Sequence, residues 1–126
     1  MKKTGLGVKG EAAALDYLKN KDYIVLAKNF ISRFGEIDLI VRKDNYLCFV
    51  EVKTRGPGYI MKPCESVTPA KQRKIIKTAE YFIAKNVKMF SDGNLQPRFD
   101  CIEVYVDSCD RPIKINHIEN AFQSIF

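Results

Sequence analysis

The chain has 126 residues, 46% of them hydrophobic and 29% charged. That is enough apolar material for one domain burying about 65% of its unfolded surface, and too little length for several. Eight Phe and six Tyr spread along it exclude a disordered or low-complexity chain. The net charge of +6 is concentrated: from Lys53 to Lys77 seven basic residues (Lys53, Arg55, Lys62, Lys71, Arg73, Lys74, Lys77) face the single acid Glu65, which favours a polyanionic partner.

Met1-Lys2-Lys3 begins like a signal peptide, but Gly5 to Gly10, Glu11 and Asp16 leave it no apolar core. No apolar run nears the ~20 residues of a membrane span, so a cytoplasmic protein without a membrane partner is expected. A first helix is predicted from about Thr4 to Lys21, with Val8, Ala12, Leu15 and Leu18 at helical spacing. Glu11 falls on that stripe, where a lone carboxylate is costly to bury. Gly5 to Gly10 matches GxGxxG, yet no strand precedes it, so a flexible start to the helix fits better than dinucleotide binding.

Three extended runs follow: Tyr23 to Phe30, Glu36 to Arg42, and Tyr46 to Thr54. The next helix has Thr68 to cap it, Pro69 at its first position, and an apolar face of Ile75, Ile76, Ala79, Phe82 and Ile83. Ser91 to Pro97 reads as loop and Arg98 to Val106 as a fourth strand. Asn116, with Glu119 three residues on, reads as the cap of a short terminal helix carrying Ile118, Phe122 and Ile125. This order predicts a single α/β domain with a mixed sheet flanked by helices, strands two and three forming an antiparallel hairpin and strands three and four parallel.

Cys48, Cys64, Cys101 and Cys109 form no CxxC pair and His117 is the only histidine, which leaves zinc without its usual ligand spacing and Cys48 and Cys101 as buried thiols. His117 is expected to be a surface or capping residue. Tyr59, Tyr81 and Phe82 could stack on bases, but core packing is the better reading.

The hairpin carries the chemistry. With Asp44-Asn45 as its turn, Asp38 stands opposite Glu51 and Glu36 opposite Lys53, and alternation puts Ile37, Leu39, Val41, Cys48, Val50 and Val52 on the other face. Opposed positions have Cβ atoms about 4.5–5.5 Å apart, and like charges there destabilise the pair. Ile40 and Phe49 share the acidic face, so the two acids are partly buried and need a cation. Hard oxygen ligands with room for water and phosphate suit Mg²⁺, or Mn²⁺ in its place. Lys53 could then orient the attacking water and stabilise charge building on a phosphate.

These residues together resemble a family. Gly10-Glu11 with Ala13 and Leu18, Asn29-Phe30, Gly35-Glu36-Ile37-Asp38-Leu39-Ile40, Phe49 to Arg55, Val67-Thr68 with Lys71, and Arg98-Phe99-Asp100 resemble the YraN family of bacterial proteins from about Gly10 to Val104. That family is similar to archaeal Holliday-junction resolvases and belongs to the PD-(D/E)XK, or restriction-endonuclease-like, superfamily. The resemblance implies a restriction-endonuclease-like mixed central sheet flanked by helices, and a Mg²⁺-dependent DNA endonuclease acting on branched DNA. Its metal ligands would be Asp38, Glu51 and the Val52 carbonyl, Lys53 its catalytic lysine and Glu11 its helix-one acid. Ile37 stands where the superfamily name has proline, and Ile60 to Cys64 is less typical of the family. Arg55, Lys62, Lys71, Arg73 and Lys74 would grip phosphates, reading shape and backbone and not sequence. A four-way junction needs two symmetric cuts, so that substrate implies a homodimer, with the terminal helix as a candidate interface. The alternatives are a nucleic-acid-binding module whose acidic cluster no longer cuts, and a protein scaffold.

Overall fold

The computed structural model describes residues 5–57 and 67–123. In chain order it holds α1 (Gly5–Asn20), β1 (Ile24–Ser32), β2 (Gly35–Lys43), β3 (Tyr46–Arg55), α2 (Pro69–Lys85), α3 (Val87–Asp92), β4 (Gln96–Val106) and β5 (Pro112–Phe122). The strands form one mixed sheet in the order β1-β2-β3-β4-β5, antiparallel except for the parallel β3–β4 pair. Asp44 makes the β2–β3 turn with φ 54°, which sets Lys43 against Tyr46 and fixes the expected register as far as Leu39↔Val50.

Each face of the sheet has its own core. On one, Ala14 and Leu18 of α1 cover Leu39, Val41, Cys48, Val50, Ile102 and Val104. On the other, Ile75, Ala79 and Phe82 of α2 cover Ile37, Ile40, Leu47, Phe49 and Phe99, where Phe49 stacks on Phe99 at 5.4 Å and Phe82 sets its edge against Phe30 and Phe49. Phe82 is therefore core. The α2 cap is as expected, Thr68 Oγ1 accepting from the Lys71 N–H at 3.3 Å. Cys48 and Cys101 are buried free thiols, and burial pushes the Cys48 thiol up to about 12.

Helix α1 buries Gly10, Ala14 and Leu18, a stripe rotated from the expected one, and Val8 is 57% exposed. The reason is contact distance. A Cβ on Gly10 would lie 1.9 Å from Thr54 Oγ1, so the helix settles on β3 through its small residues. The GxGxxG segment lies within this helix, and its last glycine serves a close approach.

The C-terminal part corrects the expectation. Residues 112–122 form an edge strand where a terminal helix was expected, pairing Ile115 with Val104 and His117 with Ile102. The Asn116/Glu119 spacing imitates a capping box, but Asp107 builds a hairpin just upstream, its Oδ1 accepting from the Cys109 and Arg111 N–H groups at 2.9 Å. Once that turn forms, pairing with β4 outweighs local helix propensity. The expected interface helix does not exist in the described residues. Residues 91–97 also differ: Val87–Asp92 is a short helix, and β4 begins at Gln96, whose N–H donates to Asn45 O at 2.7 Å.

Candidate active site

The β2–β3 ladder stops at Leu39↔Val50. One step further the Val52 N–H donates to Asp38 Oδ2 at 2.8 Å, so a side chain takes the bond a partner carbonyl would accept. On the other flank the β1–β2 register runs Lys28↔Leu39 and then Phe30↔Ile37, with Asn29 between them at φ 50°. Side-chain alternation reverses there. Leu39 packs in the α1-side core and Ile37 in the α2-side core, whereas regular pleating puts both on one face. Ile37 is thus corrected to the α2 side. Glu36 does not oppose Lys53 in a ladder; it pairs with Ile31 and lines a cleft with Glu11.

Asp38 and Glu51 lie close enough for their charges to interact. They are 6% and 9% exposed. Burial first, and then the Asp38 charge, push the Glu51 carboxyl above its usual range, against the hydrogen bond and charge of Lys71 and the charge of Lys53. Lys53 is half-buried on β3. Lys71 reaches over from the first turn of α2, its Nζ 2.5 Å from Glu51 Oε1.

Among the described residues, no three His, Cys, Asp or Glu side chains gather closely enough to hold one ion. Glu11 therefore does not make a third carboxylate with Asp38 and Glu51. It stands on α1, lining with Val8, Leu15, Ile31 and Glu36 a cleft of about 440 Å³ against β1 and β2. The acidic pair fits a hard divalent cation: both donors are oxygen, both are buried, and the ammonium already drawn onto Glu51 shows that the pair demands positive charge.

The basic residues separate. Arg73 and Lys74 are exposed on α2. Arg55 turns inward, its guanidinium 3.8 Å from Glu103 and its side chain 16% exposed. Lys62 lies outside the described residues, as do Tyr59 and Cys64.

Two acids have roles that the sequence does not assign, although Asp100 stands in the Arg98-Phe99-Asp100 block. Glu103, 2% exposed, lies beside Lys53 in the β3–β4 register and accepts from Asn116 Nδ2 at 3.0 Å. Asp100 accepts from Arg98 at 2.9 and 2.8 Å and from the Asn120 N–H at 3.0 Å. His117 Nε2 lies 2.8 Å from Asp100 and its Nδ1 3.2 Å from the Tyr17 hydroxyl. His117 is buried in this network and is neither a surface nor a capping residue. Burial alone would raise the Asp100 carboxyl, but these hydrogen bonds hold it below its usual value. The Arg98-Phe99-Asp100 motif thereby ties β4 to β5 and, through Tyr23 and Tyr17, to β1 and α1. The sequence does mark both acids, as Asp and Glu in the otherwise apolar run Phe99 to Val106.

A five-stranded mixed sheet flanked by helices, with a buried Asp on β2 and Glu-x-Lys on β3, fits a restriction-endonuclease-like fold. The sequence model of an uncharacterised protein family, UPF0102, matches residues 10–104. A UPF0102 protein of Clostridium botulinum (strain Kyoto / Type A2) is 42% identical over 118 residues, 94% of each chain. One of Caldicellulosiruptor saccharolyticus is 39% identical over 122 residues, 97% of this chain and 100% of the relative. The chain belongs to the UPF0102 family, the YraN endonuclease-like group.

Proposed function

We propose that the protein is a Mg²⁺-dependent, structure-directed DNA endonuclease, with branched DNA as its substrate class. The observation that carries this reading is the buried Asp38–Glu51 pair with the ammonium groups of Lys53 and Lys71 around it. Burying two like charges is destabilising unless a cation joins them, and a fold keeps such a pair where it has use for it. Asp38 and Glu51, with the Val52 carbonyl, would hold the ion; bound there, it would supply a Lewis acid for the phosphate and an activated water.

The chain's own residues account for the rest. Val52 N–H fixes the Asp38 carboxylate. Lys53, on the same strand as Glu51, would stabilise negative charge on a phosphate oxygen. Arg73 and Lys74, exposed on α2, would draw in the DNA backbone without reading bases. Two symmetric cuts in a four-way junction would call for a homodimer.

The test is incubation with branched, single-stranded and linear duplex DNA plus Mg²⁺ or Mn²⁺, beside Asp38→Ala and Lys53→Ala. Metal-dependent nicking that falls about 100-fold or more in each variant supports the enzyme. Salt-sensitive binding with no cuts would replace it with a non-cleaving nucleic-acid module, and no binding at all would leave a scaffold.

A further inference from the structure

Lys71 is in an unfavourable place for its helix. It lies in the first turn of α2, a turn with no acidic residue, where the positive end of the helix dipole disfavours a cation. Its position is explained instead by Glu51, whose Oε1 its Nζ meets at 2.5 Å. The backbone of Lys71 is fixed by donation to Thr68 Oγ1 at 3.3 Å. Its side chain is 48% exposed, against 10% for Glu51. The ammonium can therefore swing to solvent with no change in the helix, while the carboxylate cannot leave.

The charge around the pair balances without a metal: Asp38 and Glu51 are met by Lys53 and Lys71. A divalent cation on Glu51 Oε1 would compete with the Lys71 ammonium for the same oxygen, and the two positive charges repel each other even through surface-like screening. That repulsion disfavours both holding the same oxygen at once.

Building on the nuclease reading above, we infer that Lys71 is the resident counter-ion of the metal site. It holds Glu51 in the metal-free protein, is displaced when a divalent cation binds, and is then free to meet a substrate phosphate. Lys71 is a positioning residue that sets metal affinity, and the exchange couples metal loading to the appearance of a new cation beside the site. In the metal-free state the same ion pair keeps Glu51 in place for the incoming cation.

Two measurements test it, neither of them activity. First, Mn²⁺ binding is followed by the electron paramagnetic resonance of the free ion, in the wild type and in Lys71→Met, which keeps the apolar stem. Removing the competing charge is expected to tighten Mn²⁺ binding by about tenfold; equal or weaker binding overturns the exchange. Second, ¹H–¹⁵N spectra of the lysine ammonium groups of the wild type need no variant. The Lys71 signal, sharpened by its ion pair, is expected to shift and broaden as Mg²⁺ is added. Its persistence at saturating Mg²⁺ overturns the proposal even if Lys71→Met fails to fold. If the wild type takes up no Mn²⁺, the nuclease reading falls and the exchange with it. If the wild type binds Mn²⁺ and the variant binds it equally well, only the exchange falls.

Discussion

Gly10→Ala separates two opposing effects cleanly, because they predict opposite signs. In an ordinary helix interior the change stabilises by about 1 kcal/mol through propensity alone. Here the new Cβ would lie 1.9 Å from Thr54 Oγ1, 3.1 Å from its Cβ and 3.3 Å from its Cγ2. Rotating Thr54 can remove the first contact, but its Cβ does not move and stays 3.1 Å from the new methyl. Otherwise α1 must retreat by about 1.5 Å to restore ordinary contact. Overpacking of this kind costs about 1–3 kcal/mol, and a contact this short belongs in the upper half of that range. The net expectation is a loss of about 1–2 kcal/mol, or a Tm lower by roughly 3–10 °C for a domain of this size. Thermal and urea unfolding should both report it. Adding Thr54→Ala should recover at least ~0.5–1 kcal/mol as a coupling energy. A Gly10→Ala protein more stable than the wild type would refute the close approach of α1 to β3, and with it the present account of how Glu11 is positioned.

Asp100→Asn should cost about 1–3 kcal/mol, because it removes the buried counter-charge of Arg98, whose side chain is 13% exposed, and leaves it only the more exposed Glu119 at 3.2 Å; urea midpoints measure this. The Asp100 carboxyl is held below its unfolded value of about 3.9. Its contribution is therefore complete above about pH 4 and fades as pH falls through the lower folded value, so Asp100→Asn should flatten the acid limb of stability against pH. An unchanged limb would show that the network does not favour the carboxylate. At Asn29, exposed and with φ 50°, substitution by Val should cost about 1–2 kcal/mol from backbone strain alone, whereas Gly should be close to neutral. Equal losses for both would show that the Asn side chain, and not the conformation, matters there.

Where local chemistry decides the structure, the sequence was readable. Thr68-Pro69 starts α2, and Asp44 turns the hairpin in the expected register as far as Leu39↔Val50. The separation of strands three and four by a helix pointed to their parallel pairing. Where distant residues decide it, the reading failed. Asn116 and Glu119 have a helix-capping spacing, but the Asp107 turn and the free edge of β4 make a strand of that segment. His117 looks superficial until Asp100 and Tyr17, 17 and 100 residues away in sequence, close around it. Arg55 counts as surface charge until Glu103 is seen beside it. Such partners are fixed by the sheet order, which no local pattern encodes.

The acidic pair itself shows how the two levels combine. Alternation in the sequence marks Asp38 and Glu51 as candidates for one face, yet the β2–β3 ladder stops at Leu39↔Val50, one step short of them. The fold breaks the ladder at that step. Asn29 adopts its left-handed conformation on one side, and Asp38 accepts the Val52 N–H on the other. The bond places the Asp38 carboxylate against the β3 backbone directly after Glu51, so the Val52 peptide and both acids belong to one small region. A hydrogen-bonded sheet has no spare carbonyl in its interior, whereas strands that part can turn one toward a ligand. The irregularity is therefore what takes the Asp38 carboxylate out of a regular ladder, and it occurs at the step of β2 where side-chain alternation reverses.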